Sequence, residues 1–231
     1  MYEAKANSAL FTLSTGSFAF IALVLLLTEL AAAQRMLAVR SQDGALFYVS
    51  PGDASLTPTI PTGVEHVFAL EMAPDGQVYG FDHELRLFRF DPVSFNLALL
   101  GQIQTFEYLY EGALAFAPGG AAYVIGSDFT TSLLQLDVDT LTTTRIGALG
   151  DRLYDINGLV WRADGKLVGM DRVSNALVTI DPASGAATPL APLAPIVGAV
   201  GGMTVLDGVG YLATGSRHSR IPISASLAPP R

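Results

Sequence analysis

The chain of 231 residues contains no cysteine. That absence excludes disulfide scaffolds, thiolate metal sites and cysteine nucleophiles together. Charged residues are also scarce, at 15% against 50% hydrophobic residues, so the composition is too apolar for a disordered chain. The 13 basic residues are outnumbered by 21 acidic ones and form no cluster. Neither nucleic acid nor an anionic membrane surface is therefore expected as a partner, because both are bound through basic patches.

The N-terminal segment has the composition of a secretory leader. Residues 18–27 read FAFIALVLLL, an uninterrupted apolar run that is short for crossing a bilayer of about 30 Å but typical of a signal-peptide core. Residues 31–33 read AAA before Gln34, which suits a signal-peptidase site. The sequence therefore predicts a signal peptide over 1–33 and a secreted or periplasmic mature chain over 34–231, with no membrane contact after cleavage. An uncleaved membrane anchor is the alternative.

A strand–turn–strand pattern recurs along the chain about every 44 residues. The segments MAPDGQVYGFD, FAPGGAAYVIG and WRADGKLVGMD carry it most clearly. The turn glycines are Gly76, Gly120, Gly165 and Gly208. Each unit contains four short apolar runs joined by Gly, Pro, Asp and Ser, which is the expected signal of short strands and turns. A period of 40–50 residues with four strands per unit predicts the blades of a β-propeller.

Two further columns of the repeat support this prediction. The third strand of a unit ends in Asp91, Asp137 or Asp181, and the segments DPVS and DPAS are typical of tight turns in which Asp accepts hydrogen bonds from its own backbone. The first strand begins at a small residue in each unit, namely Ala69, Ala113, Gly158 and Gly201. Small residues are expected where the innermost strands converge on the axis.

The predicted fold is an all-β, propeller-like array of four-stranded blades with about 4–5 repeats. The predicted domain, 34–231, divides into approximate repeats 36–66, 67–109, 110–155, 156–199 and 200–231. The first repeat supplies only the last three strands of a unit, and the last repeat is incomplete. Both a closed five-bladed ring and an open arc are compatible with this pattern.

The repeat resembles that of bacterial secreted β-propeller proteins with NHL-, YVTN- or SMP30-like repeats. The resemblance rests on LAFAPGGAAYVIG, LVWRADGKLVGMD and LVTIDPASGAATPL and covers about residues 36–215. It implies a rigid exported scaffold that binds a protein, a carbohydrate or a small molecule at one face. Some members of the group are calcium-dependent lactonases or hydrolases.

Metal motifs are weak in this sequence. The three histidines, His66, His83 and His218, fall in different columns of the repeat, so they are predicted as separate solvated loop residues and not as zinc ligands. The acidic segments DHE and DVDT lack the remainder of a D-x-D-x-D-G calcium loop. No cofactor is predicted from the residues, and calcium is left open by the resemblance alone.

The candidate binding site follows from the position of loops in a propeller. Segments that lead into the innermost strands meet around one mouth of the central channel, and the ends of the second strands can join them. The candidate residues are Glu65, His66, Tyr110, Glu111, Tyr154, Asp155, Asn157, Asp82 and Asp171. Such a ring of acids and tyrosines could hold a sugar, a cation or a basic peptide. The plain alternative is a solvated rim, since loops are polar by default.

Three functions compete at this point. The first is an exported, non-catalytic binding or scaffold protein, because no G-x-S-x-G elbow or phosphate loop is present. The second is a calcium-assisted hydrolase or lactonase, which needs several carboxylates and amides converging on one metal. The third is a structural envelope protein anchored by an uncleaved leader.

Overall fold

A computed structural model describes residues 20–26, 35–50, 55–58, 61–151, 153, 155–193, 200–206 and 209–214. Every regular element in these ranges is a β-strand, and none of the described residues forms a helix. It follows that no helix long and apolar enough to cross a membrane occurs within the described part of the chain.

The strands form four four-stranded antiparallel sheets and one two-stranded sheet, each in chain order. Blade I contains β1 (Phe20–Leu26), β2 (Arg35–Arg40), β3 (Ala45–Val49) and β4 (Leu56–Pro58). Blade II contains β5 (Val67–Met72), β6 (Val78–Asp82), β7 (Arg86–Phe90) and β8 (Leu97–Gln102). Blade III contains β9 (Tyr108–Phe116), β10 (Ala122–Ser127), β11 (Thr131–Asp137) and β12 (Thr142–Ala148). Blade IV contains β13 (Ile156–Trp161), β14 (Leu167–Asp171), β15 (Ala176–Ile180) and β16 (Ala187–Pro192), and sheet V contains β17 (Val200–Leu206) and β18 (Val209–Thr214).

The innermost strands form a closed ring. Strands β1, β5, β9, β13 and β17 are neighbours in this order, and β17 also lies beside β1. The predicted array of four-stranded blades is therefore confirmed, and of the two arrangements that the sequence left open, the structure has the closed one.

Blade I is completed by a segment that the sequence did not assign to the sheet. Its last three strands lie within residues 36–60 as predicted, apart from Arg35 at the start of β2, but its innermost strand is β1, residues 20–26. The leader prediction over 1–33 stays a prediction, and the cleavage point before Gln34 lies outside the described residues.

The hydrophobic core consists of the interfaces between neighbouring blades. Phe88 and Phe90 of blade II pack with Leu37 of blade I, while Phe81 on the opposite face packs with Leu114 of blade III. All five residues of β6 and all five of β14 are buried, so these strands show no polar face. Burial on both faces explains why the strands of this sequence alternate so weakly between apolar and polar residues.

The turn glycines and the small residues of the first strands have the structural roles that the repeat predicted. The turn glycines Gly76, Gly120 and Gly165 have positive φ angles of 80°, 89° and 80° in the loops between first and second strands, whereas Gly208 lies outside the described residues. Ala69 and Ala113 are fully buried where the innermost strands approach one another. Small side chains at these positions therefore reflect close packing around the axis.

The aspartates that end the third strands are turn acceptors. Asp137 accepts hydrogen bonds from the backbone N–H groups of Asp139 and Thr140, at 2.9 Å each, and these bonds lower its pKa. Asp91 accepts equivalent bonds from Val93 and Ser94, which lower its pKa too. The predicted turn role is confirmed, and within DVDT it is the carboxylate of Asp137 that serves this turn.

Replacing Asp137 tests the contribution of these turns. We expect Asp137→Ala to lower Tm by a few degrees at pH 7, because two backbone N–H groups lose their acceptor. A lowered pKa of Asp137 stabilises the fold above the unfolded-state pKa, and this contribution disappears as the pH falls through the folded-state pKa. The difference in Tm between Asp137→Ala and wild type should therefore shrink below about pH 4. Asp139→Ala is the matched control, and an equal loss in both variants would contradict the turn role.

Candidate ligand-binding rim

Two sets of loops meet at one end of the blades. The loops that lead into innermost strands are joined by backbone hydrogen bonds to the turns that follow second strands. In blade II the N–H of His83 donates to the carbonyl of His66 at 2.9 Å, and in blade IV the N–H of Arg172 donates to the carbonyl of Asp155 at 2.9 Å. We call this end the loop rim; it comprises residues 61–66, 83–85, 103–107, 128–130, 149–151, 155 and 172–175.

The rim also connects one blade to the next. The N–H of Val67 donates to the carbonyl of Ser41 in the equivalent turn of blade I, at 3.1 Å. Within blade II the N–H of Ile103 donates to the carbonyl of Leu85 at 2.8 Å, and within blade III that of Leu149 donates to the carbonyl of Thr131 at 2.9 Å. The loops are therefore held by the same kind of bonds that hold the sheets, and the rim is a preorganised surface.

Two histidines meet on the rim, contrary to the sequence-based prediction that they are separate. The rings of His66 and His83 have centroids 4.8 Å apart in an edge-to-face arrangement. The repeat columns hid this contact because one residue precedes an innermost strand and the other follows a second strand. Both side chains are exposed, as predicted, and His66 has a positive φ of 53°, a conformation that non-glycine residues rarely adopt. His218 lies outside the described residues.

Asp82 and Asp171 occupy equivalent positions, as the repeat predicted, but both are completely buried beneath the rim. Asp82 accepts hydrogen bonds from the N–H groups of Glu84 and Arg86 at 3.0 and 2.9 Å, and from the Arg86 guanidinium at 2.6 Å. Asp171 accepts bonds from the N–H groups of Val173 and Ser174 and from the Ser174 hydroxyl. Both carboxylates shape the turns above them and contribute nothing to the exposed surface.

Blade III has a glycine where blades II and IV have the buried aspartates. In blades II and IV the buried aspartate lies opposite the first buried residue of the innermost strand: Asp82 opposite Val67, and Asp171 opposite Ile156. In blade III the equivalent residue of the innermost strand is Leu109, and the residue opposite it is Gly126. The carboxylate of Glu107 fills the space above this glycine, since a Cβ added to Gly126 would lie 2.9 Å from Glu107 Oε2.

The environment of Glu107 raises the pKa of its carboxyl group. Burial is the main cause and the charge of Asp128 adds to it, while the guanidinium of Arg145 opposes it. Within the described part of the chain, Oε2 of Glu107 is buried and has no hydrogen-bond partner. Glu107 was not predicted from the sequence because it comes from the loop before β9 and not from the repeat column of Asp82.

The other predicted rim residues differ widely in exposure. Glu65 is exposed, and Asp155 is mostly buried in an ion pair with Arg172, whose Nε lies 2.6 Å from its Oδ2. Asn157 is buried. Tyr110 is half-buried against the core between blades III and IV, with its ring 5.8 Å from that of Tyr108. Tyr154 and the side chain of Glu111 lie outside the described residues.

The most exposed aromatic side chains of the rim were not predicted from the sequence. Phe106 is 106% exposed and Phe129 is 95% exposed, relative to a reference extended residue. Tyr108 pairs with Ser127 at the end of the β9–β10 ladder, so Phe106 and Phe129 each lie two residues beyond the last pair. They therefore both lie beyond the same end of the β9–β10 ladder of blade III. A single aromatic residue in the polar turn SDFTT was the available signal.

The described residues contain no group of three or more carboxylate or imidazole side chains arranged to hold a metal ion. Of the predicted donors, Glu65 is exposed, Asp155 is paired with Arg172 and Asn157 is buried. The donor set that a calcium-assisted reaction requires is thus not assembled from the described side chains, although that of Glu111 stays outside them.

Comparison with known proteins identifies the architecture. A scan of protein-family models finds no match to this chain, and a search of curated proteins finds none either. Solved structures do match. A structural-genomics protein named for gluconolactonase is 16% identical with a TM-score of 0.58, and the alignment covers 90% of this chain and 76% of that one. The chain has a β-propeller fold.

Two other propellers are similar at the same level. A nidogen/laminin complex contains a chain that is 13% identical with a TM-score of 0.59, covering 86% of this chain and 73% of that one. A streptogramin B lyase is 12% identical with a TM-score of 0.54, covering 89% of this chain, which spans 65% of the lyase. At these identities the similarity concerns the fold alone, and it does not transfer an activity.

Proposed function

We propose that this propeller is an exported, non-catalytic binding protein whose partner is a protein or peptide that docks on the loop rim. The observation that carries the proposal is the exposure of Phe106 and Phe129 at one place on blade III. Clusters of exposed large apolar side chains are uncommon on monomeric proteins and typically mark interaction sites. Aromatic residues are also enriched among the side chains that dominate protein–protein affinity.

The charges around these aromatics favour a basic partner. Glu65, Glu84 and Asp128 are exposed on the rim, and the whole chain has a formal charge of −8. Two described arginines at or beside the rim are engaged, since Arg145 donates to Thr130 at 2.7 Å and Arg172 pairs with Asp155. A partner with apolar and basic side chains would gain contact area from the phenylalanines and favourable electrostatic attraction from the acids.

The rigidity of the rim supports the same proposal. Backbone hydrogen bonds join its loops to the blades, so little conformational entropy is lost when a partner binds. The similarity to a chain in a nidogen/laminin complex also supports it, because that propeller-like fold occurs there within a complex of proteins.

A displayed library of random peptides, selected on the immobilised full chain, tests this function. We expect the wild-type rim to enrich peptides rich in apolar and basic residues. The double variant Phe106→Ser with Phe129→Ser should weaken the selected peptides at least tenfold, about 1.4 kcal/mol, with Tm nearly unchanged since both side chains are exposed.

Val93 and Leu99 supply the matched control. They are 82% and 61% exposed in blade II, outside the loop rim, so Val93→Ser with Leu99→Ser removes exposed apolar surface without touching the site. Equal losses in both double variants would contradict the proposal. Truncating Tyr110 is a poorer test because its ring packs against the core and its loss would alter stability.

Export is the second part of the proposal. It is supported by the apolar run FAFIALVLLL and the AAA–Gln34 junction. The intact mass of the protein recovered from an export-competent host should correspond to residues 34–231. Recovery of the uncut chain from the cytoplasm would contradict export.

A calcium-assisted hydrolase is not proposed. Only the similarity to a protein named for gluconolactonase favours it, and that similarity concerns the fold. Within the described residues, no three carboxylate or imidazole side chains are arranged to hold a metal ion.

A further inference from the structure

Strand β1 occupies a position between three other strands. It pairs antiparallel with β2, with Val24 opposite Leu37 and Leu26 opposite Arg35. In the ring it lies between β17 of sheet V and β5 of blade II. We call the space that residues 20–26 fill, bounded by β2, β5 and β17, the strand slot.

The occupant of the strand slot has a distinct chemistry. Its sequence, FIALVLL, contains no polar side chain, no proline and no glycine over seven residues. Such a segment suits a strand that is covered on both faces and that donates and accepts hydrogen bonds along its length. The slot therefore accepts an extended, uncharged, apolar strand.

The same residues lie inside the run that the sequence predicts as a leader core, and one molecule cannot use them for both purposes. Export with cleavage before Gln34 removes residues 20–26 from the chain and vacates the slot. The inference below rests on this export step of the proposed function and does not depend on the loop rim.

The side chains of β2 pack against both sides of the strand slot. Leu37 and Val39 of β2 pack against blade II, while Met36 and Ala38 pack in a cluster that includes Tyr211 of β18. These contacts join side chains of β2 directly to the neighbouring blade and sheet. We therefore expect β2 to stay in place when β1 is removed, with an unpaired backbone edge between apolar walls, which is a template for strand addition.

We propose that the mature protein binds an extended apolar strand of a partner protein in the strand slot, antiparallel to β2. The partner segment spans about seven residues, like the one it replaces. Main-chain hydrogen bonds to β2 supply affinity, and the requirement for an uncharged strand that fits between blades supplies selectivity.

The test uses the full chain with a protease recognition sequence in place of residues 28–33, so that the leader segment can be cut in vitro. The probe is a fluorescent peptide of residues 20–26 with two lysines at each end for solubility. In the first acceptor, Val24→Pro weakens pairing with β2 so that the cut fragment leaves. In the second, the wild-type cut chain, the probe must displace the resident fragment, and this acceptor keeps the test valid if Val24→Pro does not fold.

We expect the probe to bind both cut acceptors and not the uncut chain, as measured by fluorescence anisotropy. A probe carrying Val24→Pro should bind at least tenfold more weakly, because it loses main-chain pairing but keeps its apolar character. Equal binding of both probes, or equal binding to cut and uncut chain, would show nonspecific adsorption and overturn the proposal.

Two other occupants are distinguished by the same samples. Dimerisation of the cut chain without probe binding would assign the slot to a second copy, and binding only after deletion of residues 215–231 would assign it to the chain's own C-terminal segment. Either result overturns an external partner. Phe106→Ser with Phe129→Ser should leave probe binding unchanged, so that failure at the rim and failure at the slot are separate outcomes.

Discussion

Replacing Gly158 with alanine should destabilise the protein by about 2–5 kcal/mol, because the added Cβ has two separate costs. Gly158 has a φ of +74°, which costs a residue with a Cβ about 1–2 kcal/mol. An added Cβ would also lie 2.9 Å from the Cβ of Met203 and 3.1 Å from its backbone nitrogen. Relieving that overlap requires β13 and β17 to separate, at a cost of about 1–3 kcal/mol.

Gly165→Ala separates these two effects. Gly165 has a similar φ of +80°, but no atom lies within 4 Å of an added Cβ. Its replacement should therefore cost only the backbone term, about 1–2 kcal/mol. Urea unfolding of both variants measures the difference. Equal losses would show that the approach of β13 to β17 is looser than the structure has it.

Replacing Glu71 with glutamine should stabilise the protein at neutral pH. Glu71 lies on the innermost strand β5, opposite Tyr79, and burial raises the pKa of its carboxyl group well above the usual range. One backbone hydrogen bond, from Met72, partly opposes this effect. Glu71 is half-buried and pairs with no cation among the described residues, so its charged form is poorly stabilised; glutamine has the same shape without the charge.

The pH dependence identifies the cause. When the folded-state pKa is raised, the unfolded chain releases its proton first, so stability falls as the pH rises from about 4.5 to the folded-state pKa. The advantage of Glu71→Gln should thus be near zero at pH 4 and grow as the pH rises toward the folded-state pKa, by about 1.4 kcal/mol for each unit by which the folded-state pKa is raised.

Thermal and urea unfolding between pH 4 and pH 8 measure this advantage. Glu65→Gln is the matched control, because Glu65 is an exposed glutamate of the same blade, and its replacement should change stability by less than about 0.5 kcal/mol at any of these pH values. An advantage of Glu71→Gln that is constant with pH would show that the carboxyl group is ionised at no extra cost.

The arrangement of acids illustrates how a repeat constrains its surface. The repeat predicts Asp82 and Asp171 as rim residues, but the carboxylate of each accepts hydrogen bonds from the turn that follows it. Blade III lacks an aspartate at that position and places Glu107 there from another loop. Equivalent sequence columns thus predict equivalent backbone positions, whereas the exposed chemistry comes from residues that depart from the repeat.

Local patterns in the sequence were sufficient for the blades. The turn glycines, the aspartates that end third strands and the small residues near the axis all act within one hairpin or one strand, so their spacing predicts the strand order without knowledge of the neighbouring blades. The period of about 44 residues then predicts a propeller, because an apolar sheet is stable in water only when another sheet covers it.

Tertiary structure decided what no single blade contains. It placed residues 20–26 in the ring, brought His66 beside His83 and exposed Phe106 and Phe129. An apolar run can be a leader core or an innermost strand, and its composition does not tell which. In the same way, the sequence does not tell whether an aromatic residue lies in the core or on the rim. Only the positions of the surrounding blades distinguish these environments, because burial is a property of the neighbours and not of the residue.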